Sequence, residues 1–138
     1  MSTIRRVPQA KVRRVIGYAR VSSKEQALGT SLTDQQNSIK AYAKGRGLKV
    51  DRIYVEAESA VREKLEHRDQ MQALVRDVRE GDLVVCAKLD RWSRDPEFSH
   101  KSVREILAKG AHMFFVDEAC DPSTDQGDSM LNFRKGFV

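Results

Sequence analysis

Cysteine is scarce in this sequence. Cys86 and Cys120 are too few and too far apart for a disulfide framework or for a metal site of recognised ligand spacing. His67, His100 and His112 show no ligand spacing either, so no metal is expected from them. No apolar run approaches the length of a membrane span, and residues 1–14 lack the apolar segment of a signal peptide. These absences favour a cytoplasmic chain with no membrane partner. Acid is missing from the first fourteen residues, where Arg5, Arg6, Lys11, Arg13 and Arg14 all stand. With those five set aside, 20 basic and 20 acidic residues remain, so the net charge of +5 reports a basic tail rather than a basic domain. Residues 1–13 are read as a disordered basic arm, either a contact for phosphates or a solvated lead-in.

What is present is enough for one domain with a core of its own, at 138 residues. Val15, Ile16, Ala19 and Val21 make a short apolar run, the pattern of a buried strand covered on both faces. Ser31 and Asp34 have capping-box spacing, and Leu32, Ile39, Tyr42 and Ala43 continue at roughly helical intervals to Gly45 and Gly47. Val50, Ile53 and Val55 mark a second strand, which runs into acidic sequence at Glu56 and Glu58. A charged stretch from Ala57 to His67 reads as a mobile loop.

Met71, Leu74, Val75 and Val78 are spaced i, i+3, i+4, i+7, which predicts a helix over residues 68–80 stopped by Gly81. Leu83–Ala87 is a third and central strand, with Cys86 a small core residue. Asp95-Pro96 opens another helix, with Val103, Ile106 and Leu107 inward and Gly110 at its close. Residues 113–116 form a fourth strand, and a polar loop from Asp117 to Asp128 leads to helical sequence from Ser129. The alternation of strand and helix predicts an α/β fold: a mostly parallel open sheet with helices on both faces, three layers in all.

The first strand delivers Arg20 and Ser22 into polar sequence at its carboxyl end, where open α/β sheets bind ligands. Serines end many strands merely to turn the chain, so this signal is weak by itself. The third strand is followed directly by Lys88-Leu89-Asp90-Arg91-Trp92-Ser93-Arg94-Asp95. If strands one and three are neighbours, Lys88, Arg91 and Arg94 converge on the edge where Arg20 and Ser22 emerge. Clustered cations repel unless an anion sits among them, and a phosphodiester suits arginine's planar, permanently charged fork. The plainer alternative pairs Arg91 and Arg94 with Asp90 and Asp95 on the surface.

Tyr18-Ala19-Arg20-Val21-Ser22 together with Lys88–Asp95 resembles the catalytic domain of the serine recombinases, the resolvase/invertase family, whose motifs have the form Y-x-R-V-S and K-L-D-R-x-x-R. The similarity runs from about Val15 to the end of the chain. The added length before Ser31-Leu32-Thr33-Asp34-Gln35-Gln36 is more like the large serine recombinase and integrase branch. The resemblance implies a site-specific DNA recombinase working without metal or nucleotide cofactor. Ser22 is then the nucleophile, joined to a 5′ phosphate with release of a 3′ hydroxyl. Arg20, Arg91 and Arg94 match arginines around the scissile phosphate. Asp90 matches an aspartate that orients the site and takes part in proton transfer. Arg68 best matches a further catalytic arginine, with Arg62 its rival. Gln26 and Gln35 match supporting polar positions, and Tyr18 and Lys88 count with them on the substrate side. DNA is the implied partner, with dimers that assemble into tetramers, and the setting is cytoplasmic and nucleoid-associated.

Departures from the family pattern are visible. Ser59-Ala60 stands where the family often has Ser-Gly, and Arg68-Asp69 where it has Arg-Pro. Trp92 replaces an aliphatic residue and is expected either in the core or stacked near DNA. Residues 14–138 read as the catalytic domain, with a final helix cut off near Val138 and no helix-turn-helix pattern for a DNA-binding domain. That leaves a second reading, a truncated, non-catalytic oligomerisation or regulatory domain. A third, a small hydrolase on a flavodoxin-like sheet, needs a water-activating base or a metal cluster that the sequence does not offer.

Overall fold

The structure is a computed structural model and describes residues 12–22, 30–58 and 68–129. Four strands, β1 (Arg14–Ser22), β2 (Val50–Glu58), β3 (Asp82–Cys86) and β4 (His112–Phe115), alternate with helices α1 (Thr30–Gly45), α2 (Asp69–Asp77), α3 (Leu89–Trp92) and α4 (Pro96–Ala108). They form the expected α/β architecture. The sheet is parallel throughout, in the order β2-β1-β3-β4, so β1 and β3 are neighbours and every carboxyl end lies at one edge.

Side-chain alternation along the strands builds two cores. Ile16 and Tyr18 of β1, Tyr54 of β2, Val84 and Cys86 of β3 and Met113 and Phe115 of β4 face α2, α3 and α4. Val15, Leu83 and Val85 face α1, meeting Ile39 and Ala43. Gly17 permits that second layer to close. A β-carbon there would lie 3.1 Å from both Ile39 Cγ2 and Ile53 Cγ1. Cys86 and Cys120 are both buried, and burial pushes each thiol up to about 12, so neither ionises near neutrality. Trp92 is a core residue: its ring meets Tyr18 edge-on at 5.3 Å and Phe115 at 6.3 Å, and its Nε1 donates to Ser102 Oγ.

Several boundaries differ from the sequence expectation. The helix expected to reach residue 80 ends at Asp77, and Val78 is extended at ψ 143° although still buried. The Asp82 carboxylate accepts the Arg79 N–H at 2.9 Å, which draws the chain into a turn that Gly81 completes at φ 86°. Helix α1 starts at Thr30, one residue before the expected cap, and the Ser31 hydroxyl instead accepts a hydrogen bond from Gln35. Residues 125–129 are already helical, with Thr124 Oγ1 accepting the Gly127 N–H, so the preceding loop is shorter than expected. The expected helix start at Asp95 is observed, its carboxylate accepting from Glu97 and Phe98. Most of the expected mobile loop, residues 59–67 with Arg62, lies outside the described residues, as does Gln26. No described helix is long and apolar enough to cross a membrane.

The amino edge of the sheet is closed by one buried carboxylate. Asp82 is ion-paired with Arg13 at 3.0 Å and Arg14 at 2.9 Å. Burial alone would raise this carboxyl. Hydrogen bonds from Arg14 and the Arg79 amide, with the charges of Arg14 and Arg13, outweigh burial and hold it below the usual carboxylate range. Its contribution is therefore complete above the unfolded-state value of about 3.9 and lost as pH falls through the lower folded-state value. Asp82→Asn is expected to cost about 1–2 kcal/mol at pH 7, with both arginines partly exposed and the interaction screened. That deficit should shrink as pH falls below about 4. Urea unfolding at both pH values measures it; equal stability of the two proteins at pH 7 would show that the arginines add nothing there.

Candidate active site

The carboxyl edge of the sheet gathers residues far apart in sequence. Tyr18, Arg20 and Ser22 lie on one face of β1 by simple alternation, the face turned to α2, α3 and α4. Strand β3 pairs with β1 only as far as Tyr18, so the backbone of Arg20 needs another partner. Gln35 of α1 supplies it: its side-chain amide accepts from Arg20 N at 3.1 Å and donates to Arg20 O at 3.0 Å, as a peptide of a third strand would. Ser22 follows at the half-buried strand end, in register with Glu58 of β2.

Helix α3 is a single turn, formed where the second motif leaves β3. Leu89 and Trp92 fix its inner side, and three of its carbonyls receive guanidinium groups. Arg20 donates through Nη2 to Asp90 O and through Nε to Arg91 O, the latter at 3.2 Å. Arg68 donates through Nη1 to Trp92 O at 2.6 Å. The two motifs, 70 residues apart, are thus clasped directly together. Carbonyl acceptors satisfy N–H groups without cancelling the charge, and the carboxyl end of a helical turn favours cations. Arg20 and Arg68 are 7% and 4% exposed, so both charges act in a poorly screened setting. Arg91 is half-buried, and its Nη1 reaches back to Arg20 O at 3.4 Å. Arg91 also lines a polar groove of 380 Å³, with Ser31, Asp34, Gln35, Lys88 and Asp117.

Each remaining candidate has a definite place. Asp90 Oδ1 is buried with no hydrogen-bond partner among the described residues. Arg94 is exposed and forms no ion pair among the described residues, because the Asp95 carboxylate is turned to cap α4. The surface-pair alternative does not hold for Arg94. Lys88 lies 3.9 Å from Asp117. Tyr18 is fully buried and donates through Oη to Glu56 Oε1 at 3.2 Å. Burial and the Glu56 charge raise its phenol well above the usual range, against opposing pulls from Arg68 and Arg20.

Sequence reasoning passed over Glu56. This carboxylate is 4% exposed and also accepts the N–H groups of Gln70 at 3.2 Å and Met71 at 2.9 Å. It caps α2 from a neighbouring strand, where the residue before the helix, Arg68, has no acceptor with which to do so. Glu56 therefore holds in place the turn from which Arg68 reaches α3. Its partners lie 14 and 15 residues further along the chain, so no local spacing in the sequence marked it.

Comparison with known proteins places this fold among relatives. The family model described as Resolvase, N terminal domain, matches residues 15–138. The transposon Tn3 resolvase of Escherichia coli is 30% identical over 118 residues, 86% of this chain and 58% of that protein. Another Escherichia coli resolvase is 35% identical over 104 residues, 75% of this chain and 43% of that protein. The chain spans about half the length of these curated relatives. Among solved structures, the N-terminal catalytic domain of TP901-1 integrase superimposes with a TM-score of 0.71 at 26% identity, covering 91% of this chain and 93% of that one. A resolvase family site-specific recombinase from Streptococcus pneumoniae shares the fold, with a TM-score of 0.71 at 24% identity over 90% of this chain and 84% of that one. With the sheet order, the clasped motifs and a family match running from β1 to the last residue, the chain belongs to the resolvase N-terminal domain family, that of the serine recombinase catalytic domains.

Proposed function

We propose that this chain is the catalytic domain of a site-specific DNA recombinase that cleaves and rejoins strands through a covalent 5′-phosphoserine. The observation that carries this reading is the clasp of Arg20 and Arg68 on α3, which gathers guanidinium charge beside the strand end bearing Ser22. Ser22 Oγ attacks the phosphorus and loses its proton, the P–O3′ bond breaks, and the departing oxygen is protonated to a 3′ hydroxyl. One phosphoester replaces another, so rejoining needs no external energy source. Arginines suit such a step because negative charge spreads over the phosphoryl oxygens in the transition state. Arg20 and Arg68 form the buried part of that field, half-buried Arg91 and exposed Arg94 its outer part. Asp90 orients the site and takes part in proton transfer, and Gln35, Lys88 and Tyr18 serve as supporting polar groups on the substrate side. DNA is the substrate and partner. The full-length protein acts as dimers that join into a tetramer, in the cytoplasm, with a basic arm ahead of Val12; Arg13, expected in that arm, is instead ion-paired with Asp82.

The test is a nicked suicide duplex, from which the strand end diffuses after cleavage and prevents rejoining. The full-length protein should accumulate a denaturation-resistant adduct whose phosphopeptide maps to Ser22. Cleavage by hydrolysis, with a free 5′ phosphate and no adduct at any time, would refute the reading.

A further inference from the structure

We propose that Glu118 is a positioning residue for the reaction, holding the amino end of α3 so that Asp90 and Arg91 stay in place. This rests on the recombinase reading for its catalytic consequence and on geometry for the rest. A single helical turn does not persist unaided, because nucleation costs more than one turn returns. Helix α3 is such a turn, yet it carries two of the site's charged groups. Its carboxyl end is held by Arg20 and Arg68. At its amino end, Lys88 is extended and its ammonium has no acceptor to offer the first N–H groups. Glu118 fills that role from another part of the chain: its Oε1 accepts the Leu89 N–H at 3.1 Å.

The support beneath Glu118 is rigid. Past the end of β4, Val116 N donates to Cys86 O at 3.0 Å and Asp117 N to Ala87 O at 2.8 Å, so this segment continues the ladder alongside the β3–α3 junction. The chain then turns back sharply. Ala119 N donates to Val116 O at 3.0 Å, Ala119 itself lies at φ 48°, and Phe115 and Cys120 pair as an antiparallel bridge. A non-glycine residue in the left-handed region is unfavourable unless its surroundings enforce it, and here the turn aims Glu118 at Leu89. An acid at the amino end and guanidinium groups at the carboxyl end both match the dipole of the turn they enclose.

The experiment compares Glu118→Ala and Glu118→Gln with the wild type in the full-length protein. Three readouts are taken: exchange of the Leu89 amide, DNA affinity, and single-turnover cleavage at saturating suicide substrate. The alanine variant should expose the Leu89 N–H to exchange about 10-fold faster or more, with the Val84 and Val85 amides still protected. Cleavage should slow by about 10- to 100-fold at unchanged DNA affinity, the scale of loss that a misplaced catalytic group produces. Glutamine keeps an acceptor oxygen and should restore both exchange and rate to within about threefold of wild type. Unchanged Leu89 exchange in the alanine variant would overturn the cap. Faster exchange with wild-type cleavage would overturn the positioning role, and a glutamine variant as impaired as alanine would overturn the acceptor argument. If wild-type protein itself forms no adduct, the recombinase reading falls while amide exchange still decides the cap.

Discussion

Ser22→Ala is expected to abolish the covalent adduct, lowering cleavage by about 10⁴-fold or more while DNA binding and folding persist. The size of the effect follows from the shortage of substitutes. Both thiols are buried and raised to about 12, so neither offers a thiolate. The Tyr18 hydroxyl is buried, committed to Glu56 and raised still further. The structural cost is small, because Ser22 is half-buried at the end of a strand and its removal opens no core cavity. The assay is the suicide duplex run on a denaturing gel beside a binding titration. An adduct that persists at wild-type yield would remove Ser22 from its role, and one mapping to Ser23 would move the role by one position.

The fold was legible in sequence wherever pattern and length were unambiguous. Leu83, Val84, Val85 and Cys86 read as a strand covered on both faces, and all are fully buried in β3. Asp95-Pro96 read as a helix opening and is one, because cap and first-turn proline act within a few residues of each other. Helix α3 was not legible: four residues are too few to display a period, and Lys88–Asp95 reads equally well as a charged loop. The end of α2 was misplaced because Val78 keeps its helical spacing and its burial while leaving the helix. What fixes that end is Asp82, acting through Arg79 and two arginines, Arg13 just before β1 and Arg14 its first residue.

The site divides along the same line. Ser22, Arg20 and the Lys88–Asp95 run were found because motifs are local, and the parallel pairing of β1 with β3 was the condition that brought them together. The carboxylates holding the arginine-bearing turns were missed. Glu56 reaches Met71 across 15 residues and Glu118 reaches Leu89 across 29, distances at which spacing carries no information. Thr124 is the reverse case: its capping signal was present, but the glycine three residues later disguised a helix start.

Arg91→Ala and Arg20→Ala are expected to fail in different ways, and the contrast tests the division between half-buried and buried charge. Arg91 is half-buried and lines the polar groove, and its bond to Arg20 O is long at 3.4 Å. Its loss should leave stability nearly unchanged and slow cleavage by about 10²–10³-fold, the range for removing one preorganised donor from a transition state. Arg20 is 93% buried by its 7% exposure and serves two carbonyls of α3. Alanine there leaves both without their donor, at a cost of about 1–3 kcal/mol, and releases Asp90 and Arg91 from their setting. Arg20→Ala should therefore combine a lower urea midpoint with a cleavage defect at least as large as that of Arg91→Ala. Arg20→Lys keeps the charge but not the planar fork that spans two adjacent carbonyls, so it should not rescue cleavage. Equilibrium unfolding and single-turnover cleavage, measured on the same preparations, separate the two variants. If Arg91→Ala loses stability as Arg20→Ala does, Arg91 is part of the scaffold and its charge is not directed at a phosphate; if Arg20→Lys cleaves normally, the clasp on α3 is dispensable.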